Sequence, residues 1–234
     1  MLKLGMKKKS TRDVHVKIAN ELMAYIYSYI DTAINIDELA VRFGVSKFHL
    51  HKLFIEQMGV NIYETIKSIR VQKASNLLLT NHYSTITEVA NMCGYSSQTS
   101  FIRAFKERFE MTPKQWRRGG YEVYSKKILE NSLLPDKTML TFDSSSVKII
   151  KAKARKVYYI RQHGYIIEEG KQKWQKLKAW VYTNDLKEYE EIGIYHDNPA
   201  ITPHGSCSYI AAICPNEEAD LSKTNLPSNM IHEG

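Results

Sequence analysis

VANMCGYSSQTSFIRAF, residues 89–105, decides the fold, because its outline occurs twice in the chain. It runs from a short apolar stretch through a Gly-Tyr break into small polar residues, then into Phe101, Arg103 and Phe105. LAVRFGVSKFHLHKLF, residues 39–54, has the same outline. Leu39 and Ala40 answer Val89 and Ala90, Gly44 answers Gly94, and Ser46 answers Ser96, all 50 residues apart. Beyond one extra residue the spacing becomes 51, so that Leu50 answers Phe101 and Phe54 answers Phe105. One supersecondary unit is present twice.

Apolar periodicity says what the unit is. Ile18, Leu22, Ile26 and Tyr29/Ile30 predict a helix over residues 14–30, and short helices over 36–43 and 86–93 stop at Gly44 and Gly94. Ser46 and Ser96 read as N-caps of the helices that follow. Each unit is therefore helix, glycine-containing turn, helix. Between them Ile62, Ile66, Ile69/Arg70, Ala74 and Leu77/Leu78 predict a connecting helix over residues 62–79. About 18 residues at roughly 1.5 Å each make it about 27 Å long. Successive major grooves on one face of B-DNA lie roughly 34 Å apart, so one polypeptide of this kind fills two of them without a dimer's symmetry. The fold class expected here is an all-α N-terminal domain with two helix-turn-helix units joined by a connecting helix.

Charge agrees with that use. The 234 residues are 43% apolar and 25% charged, a globular composition with a net charge of +8. Residues 1–130 hold 20 Lys+Arg against 12 Asp+Glu, while residues 131–234 hold 13 of each. All the excess positive charge lies with the repeated unit, which suits a polyanion: DNA, RNA or an anionic membrane surface. No apolar run approaches the roughly 18 residues needed to span a bilayer. The start, MLKLGMKKKSTR, lacks the apolar core of a secretory signal, and Cys93, Cys207 and Cys214 form no disulfide framework. A cytoplasmic protein is expected, with no membrane partner. Lys7, Lys8 and Lys9 fit a solubilising terminus and a phosphate-contacting arm equally well.

IDELAVRFGVSKFHLHKLF, the connecting IRVQKASNLLL and EVANMCGYSSQTSFIRAFKERFEMTPKQWR together resemble the DNA-binding domain of the AraC/XylS family of transcription regulators, over about residues 12–120. The family pattern usually has Gly where Glu110 stands and Pro where Ile62 stands; both departures lie at turns beyond the second helix of a unit. The resemblance implies a sequence-specific regulator, an activator, with double-stranded DNA and RNA polymerase as partners.

In the second helix of each unit the apolar positions pack, Leu50, Leu53 and Phe54 in the first and Phe101 and Phe105 in the second. That leaves Lys47, Phe48, His51 and Lys52 outward in one, and Gln98, Thr99 and Arg103 in the other. The resemblance implies that Phe48, His51 and Lys52 read bases. Phe48 suits a thymine methyl and His51 a guanine acceptor, while Gln98 suits adenine N6/N7 and Arg103 guanine O6/N7, with Thr99 beside them. Taken singly, such residues on an exposed helix face are ordinary solvated positions. Their joint placement in two matching units, on the domain with all the excess charge, favours DNA. Lys47, Lys106, Lys114, Arg117 and Arg118 are assigned to phosphates.

The domain divisions follow from composition: residues 1–125 for DNA binding, 126–146 as a linker rich in Ser, Pro and Asp, and 147–234 for a second domain. There VYYIRQH (157–163) reads as a strand, residues 168–182 as a helix, and IGIYHD (192–197) and SCSYIAAICP (206–215) as strands, an α+β module of order βαββ. ARKVYYIRQHG, the spacing of Trp174, Leu177 and Trp180, and GIYHDNPAITP followed by SYIAAICP are similar to the opening half of the GyrI-like small-molecule-binding domain. That resemblance implies a pocket for a small amphipathic or cationic effector, with Tyr165, Trp174, Trp180, Tyr195 and Tyr209 as lining residues. The same tryptophans at near-helical spacing are also ordinary core residues. Family domains pair two βαββ modules, the second supplying a carboxylate, and this sequence ends at MIHEG, about where the second would begin. The expectation is a truncated module with an open sheet face and edge, a weak response to a small cation, and self-association that restores the pair. His163, His196, His204, Cys207 and Cys214 fit no metal spacing, so no metal or cofactor is expected. No Ser/His/Asp, Cys/His or paired-carboxylate arrangement supports an enzyme. The competing reading is a ligand-sequestering or hydrolytic C-terminal domain with an accessory DNA-binding part.

Overall fold

The computed structural model describes residues 11–130, 151, 153–216, 221, 224 and 226–231. Lys7, Lys8 and Lys9 lie outside them. The chain divides into two compact units, Met1–Tyr121 and Glu122–Gly234.

The first unit is helical: α1 (Thr11–Ser28), α2 (Ile36–Arg42), α3 (Lys47–Met58), α4 (Ile62–Thr80), α5 (Ile86–Met92), α6 (Gln98–Phe109) and the single turn α7 (Pro113–Gln115). A wound segment, Trp116–Gly120, is broken at Arg118 and Gly119, where φ reaches 104°. The helix α8 (Tyr121–Glu130) then carries the chain across the boundary. Residues 126–130, expected in the linker, are the end of that helix, and 131–146 fall outside the described residues.

Capping fixes the repeat. Asn35 caps α2 and Thr85 caps α5, where Glu88 completes a capping box. Gly44 and Gly94 then turn the chain with φ of 66° and 76°. Ser46 caps α3 by accepting the His49 N–H, as expected, but the cap of α6 is Ser97, not Ser96. The extra residue of the second unit lies in the turn, before the cap, so the change of spacing occurs earlier than the alignment placed it. From the caps onward the units run in step. Gly59 and Glu110 both close their helices in the left-handed conformation, and Asn61 and Thr112 cap the next ones. Ile62 and Pro113 occupy the first helical position, where proline's missing N–H costs no hydrogen bond.

The core of the first half gathers Leu22, Ile26 and Ile30 of α1 and its end with Leu39, Leu50, Leu53, Phe54, Ile62 and Ile66. That of the second is aromatic: Phe101, Phe105 and Phe109 line one face of α6, and the Trp116 ring lies 4.3 Å from Phe109. The Trp116 indole N–H donates to the Ser75 carbonyl of α4 at 3.1 Å, so α4 serves both halves. Lys67 of α4 lies between Glu64 (2.8 Å) and Glu107 of α6 (2.9 Å).

The second unit holds β1 (Arg155–His163), α9 (Ile167–Thr183), β2 (Tyr189–Tyr195), β3 (Ser208–Pro215) and β4 (Ser228–Ile231). They form an antiparallel sheet of order β2-β3-β1-β4. Leu177 and Val181 of α9 pack on Ala211 and Ile213. The βαββ order stands with a short fourth strand added; the sheet keeps edges at β2 and β4, while the face expected to be open is buried. The short strand β4 pairs with Arg155–Tyr158, so the edge of β1 is not open. On the face away from α9, Val157, Tyr159, Ile210, Ala212 and Cys214 are buried, with Ile192, Ile194 and Ile231 packed against them, so that face is not bare.

Candidate nucleic-acid interface and aromatic cluster

In α3, burial of Leu50, Leu53 and Phe54 fixes the roll of the helix and turns Phe48 out, 80% exposed. Lys52 is exposed and lies 4.0 Å from Glu56, one turn on. His51 is only half-exposed, its ring 5.3 Å from that of Tyr63 on α4. Lys47 places its ammonium 3.0 Å from Asp37 of α2, and that hydrogen bond raises its pKa above the ordinary lysine value. Tyr63 was not anticipated; a half-exposed aromatic at the start of the connecting helix was its signal.

In α6, Phe101 and Phe105 are buried and Gln98, Thr99 and Arg103 are exposed. The cap register aligns Gln98 with Lys47, Thr99 with Phe48 and Arg103 with Lys52. Ile102 then falls where His51 stands, so the two helices share a geometry and differ in chemistry. The Gln98 Oε1 accepts a hydrogen bond from the Thr87 hydroxyl of α5 at 3.0 Å.

Lys106, Lys114 and Arg118 are exposed. Arg117 is placed differently from the sequence assignment: its guanidinium donates to the carbonyls of Leu78 (3.3 Å), Ser84 (2.8 Å) and Asn81 (3.5 Å). It binds the chain end of α4, where three carbonyls need donors, and this engages three of its five N–H donors within the chain. Arg70 of α4 was missed in the same way. It donates to the carbonyls of Ile30 (2.9 Å) and Thr32 (2.6 Å), and burial lowers its pKa. Its signal was an arginine within an apolar stripe. Gly94 packs against this clamp: a Cβ there would stand 2.6 Å from the Ile30 oxygen and 2.9 Å from Arg70.

In the second unit, four of the five aromatic candidates meet. The Tyr165 ring lies 5.4 Å from Tyr195, and Tyr195 lies 4.8 Å from Tyr209. The Trp174 indole N–H donates to the Tyr209 hydroxyl at 2.8 Å. The Tyr165 hydroxyl donates to the Asp197 carbonyl at 3.1 Å, and burial pushes its pKa up. Gly193 keeps the sheet open beneath the cluster, since a Cβ there would sit 3.1 Å from the Tyr209 hydroxyl. Trp180 is elsewhere, 5.2 Å from the Tyr158 ring and bonded to Thr224. The sequence reading missed Gln162, which is 3% exposed. Its Nε2 donates to the carbonyls of Gly164 and Ile166, both at 2.9 Å, while Oε1 is buried without a hydrogen-bond partner. Among the described residues no group of three or more His, Cys, Asp or Glu could hold a metal ion, and no helix is long and apolar enough to cross a membrane.

Comparison with known proteins divides the chain in the same way. Residues 39–119 match the family model of a helix-turn-helix domain, and residues 145–232 match that of a GyrI-like small molecule binding domain. The first match begins at Leu39, so α1 lies outside it, although the expected resemblance began near residue 12. The chain is 34% identical over 103 residues to the xylose operon regulatory protein of Escherichia coli (strain K12), covering 44% of this chain and 26% of that one. It is 37% identical over 98 residues to an uncharacterized HTH-type transcriptional regulator of Staphylococcus aureus (strain COL), covering 42% of this chain and 13% of the relative. Among solved structures, the C-terminal domain of AraT, a response regulator from Geobacillus stearothermophilus, aligns with a TM-score of 0.41 and 28% identity over 43% of this chain and 84% of that one. The chain thus spans about a quarter or less of the length of these two curated relatives.

Proposed function

We propose that this chain, in which an AraC-type helix-turn-helix domain is joined to a GyrI-like small-molecule-binding domain, is a sequence-specific DNA-binding transcription regulator whose second domain senses a small molecule. The observation that carries the reading is the pair of equal helices, α3 and α6, each rolled by buried apolar residues so that matching positions face outward. Phe48, His51 and Lys52 read one major groove, and Gln98, Thr99 and Arg103 the next. Lys47, Lys106, Lys114 and Arg118 hold phosphates, which fixes register without reading sequence. Helix α4, 19 residues and so about 28 Å long, spaces the two.

The finer parts of the reading are activation, RNA polymerase as a protein partner, action in the cytoplasm, and an amphipathic or cationic effector held by Tyr165, Trp174, Tyr195 and Tyr209. The unpartnered Gln162 carbonyl supports a ligand that brings an N–H donor, since a buried acceptor left unpaired costs about 1–3 kcal/mol. Self-association of the second domain has less support. Its edge strand β2 carries Glu190 and Glu191, ion-paired with Arg155 and Lys178, and charged edges resist pairing with another strand.

Selection of bound sequences from a random DNA pool tests the reading. A recovered site with two half-sites about one helical turn apart is the expected result. Enrichment of no sequence, together with turnover of an ester or amide probe, would favour a hydrolytic second domain instead.

A further inference from the structure

Asp37 and Thr87 hold the same address in the two units, the second residue of α2 and of α5, two beyond the caps Asn35 and Thr85. Lys47 and Gln98 also share an address, the first residue of α3 and of α6. In both units these two addresses touch: Asp37 to Lys47 at 3.0 Å, and Thr87 to Gln98 at 3.0 Å. None of the residue types repeats, yet the contact does. Both pairs are exposed, where such contacts add little to stability. Their effect is on the side chain at the tip of the second helix, which is tied by its polar end to the helix in front of it.

We propose that Thr87 is a positioning residue for base reading by Gln98, and that the two units use the same contact for different ends. The proposal rests on the DNA-binding reading above. A glutamine amide reads adenine only when Oε1 and Nε2 lie together in the plane of the base, accepting from N6 and donating to N7. The Thr87 hydroxyl donates to one lone pair of Oε1. That leaves the second lone pair and both Nε2 hydrogens for the base edge, with the amide already held in one orientation. A free glutamine loses that rotamer freedom on binding, and a tethered one has lost it beforehand. In the first unit the same tether is an ion pair, and the ammonium of Lys47 keeps two further donors for phosphate oxygens. The contact therefore orients a base reader in the second unit and a backbone anchor in the first.

The test uses the full chain in selection from a random pool and in competition binding, as wild type, Gln98→Ala, Thr87→Val and Thr87→Ser, with melting curves to establish that each is folded. Gln98→Ala identifies the base pair concerned. Thr87→Val, which keeps the shape and loses the hydroxyl, is expected to relax preference at that same base pair by roughly 2- to 10-fold, the ordering term of one long side chain. Thr87→Ser, which restores the hydroxyl, is expected to keep it, and the salt dependence of non-specific binding stays the same in all four. Thr87→Val that leaves that preference intact, or that weakens every sequence alike, overturns the proposal, as does Gln98→Ala that changes no preference. A wild-type chain that enriches no site removes the regulator reading and this proposal with it, whereas a wild-type site indifferent to Thr87→Val removes this proposal alone.

Discussion

Glu110 closes α6 in the left-handed conformation (φ 58°) in which Gly59, one repeat earlier, closes α3 (φ 75°). Only glycine takes that conformation without steric penalty, and other L residues give up roughly 1–2 kcal/mol. Glu110→Gly is therefore expected to stabilise the protein by about 1 kcal/mol in urea unfolding. Glu110→Ala, which keeps the strain and removes only the carboxylate, separates the two contributions. A Gly variant no more stable than the Ala variant would rule out backbone strain as the cause.

Gly44 and Gly94 share a turn and differ in surroundings. A Cβ at Gly44 meets nothing within 4 Å, whereas one at Gly94 meets the Ile30 oxygen at 2.6 Å. Gly44→Ala is expected to cost roughly 1–2 kcal/mol, the left-handed backbone alone. Gly94→Ala should cost at least about 1 kcal/mol more, since backbone must move to admit it. Equal losses in chemical denaturation would contradict the close approach.

Arg117 and Arg118 are neighbours in sequence with different surroundings, the first bonded to carbonyls and the second exposed. Arg117→Ala leaves carbonyls of Leu78, Asn81 and Ser84 without their donor and is expected to lower stability by about 1–3 kcal/mol. Arg118→Ala is expected to leave the melting temperature unchanged and to weaken binding to all DNA sequences alike. The reverse pattern would assign the phosphate contact to Arg117 and the structural role to Arg118.

Arg103→Ala is expected to lose about 1–3 kcal/mol on the selected site and to relax preference at one base pair, while Lys114→Ala weakens every sequence equally. With about 6–10 phosphate contacts, affinity should fall by roughly 10³–10⁵ between 50 and 200 mM salt. A nearly flat salt profile would leave the charge of the first unit without this role.

Burial, aided by the charge of Arg161, holds the His196 pKa down to about 4. Between about pH 6.5 and about 4 the unfolded chain then binds a proton that the folded chain does not, so stability declines as pH falls through that window. The loss attributable to this group reaches at most about 3 kcal/mol. An NMR titration in which the His196 imidazole protonates near 6.5 while the chain stays folded would disprove it.

The helices were legible because their signals are local. Caps, glycines at positive φ and apolar spacing appear within a few residues, and the outward Phe48, Gln98 and Arg103 follow from the roll that buried phenylalanines and leucines impose. What escaped depends on distant partners. Ser97 rather than Ser96 caps α6, a choice between adjacent identical residues that the turn makes. Arg117 reads like any basic surface residue until the carbonyls of Leu78, Asn81 and Ser84 are seen beside it. The strand β4 has the sequence SNMI, too short and polar to signal a strand, and it exists because β1 offers it an edge. Trp174 and Trp180 look alike in sequence, yet Trp174 at the middle of α9 bonds Tyr209 and Trp180 in its last turn bonds Thr224.

Helix α4 contains no glycine or proline between Ile62 and Thr80, and the cores of both halves are built on it. A rod of that kind allows its two ends little independent movement. On DNA, one inserted base pair between half-sites advances the second by about 3.4 Å and turns it by roughly 34–36° about the duplex axis. A protein with a supple joint would follow that rotation. Under the proposed DNA-binding reading, this one would have to twist or bend the duplex to keep both helices seated, so a selected site should tolerate a changed letter far better than a changed length.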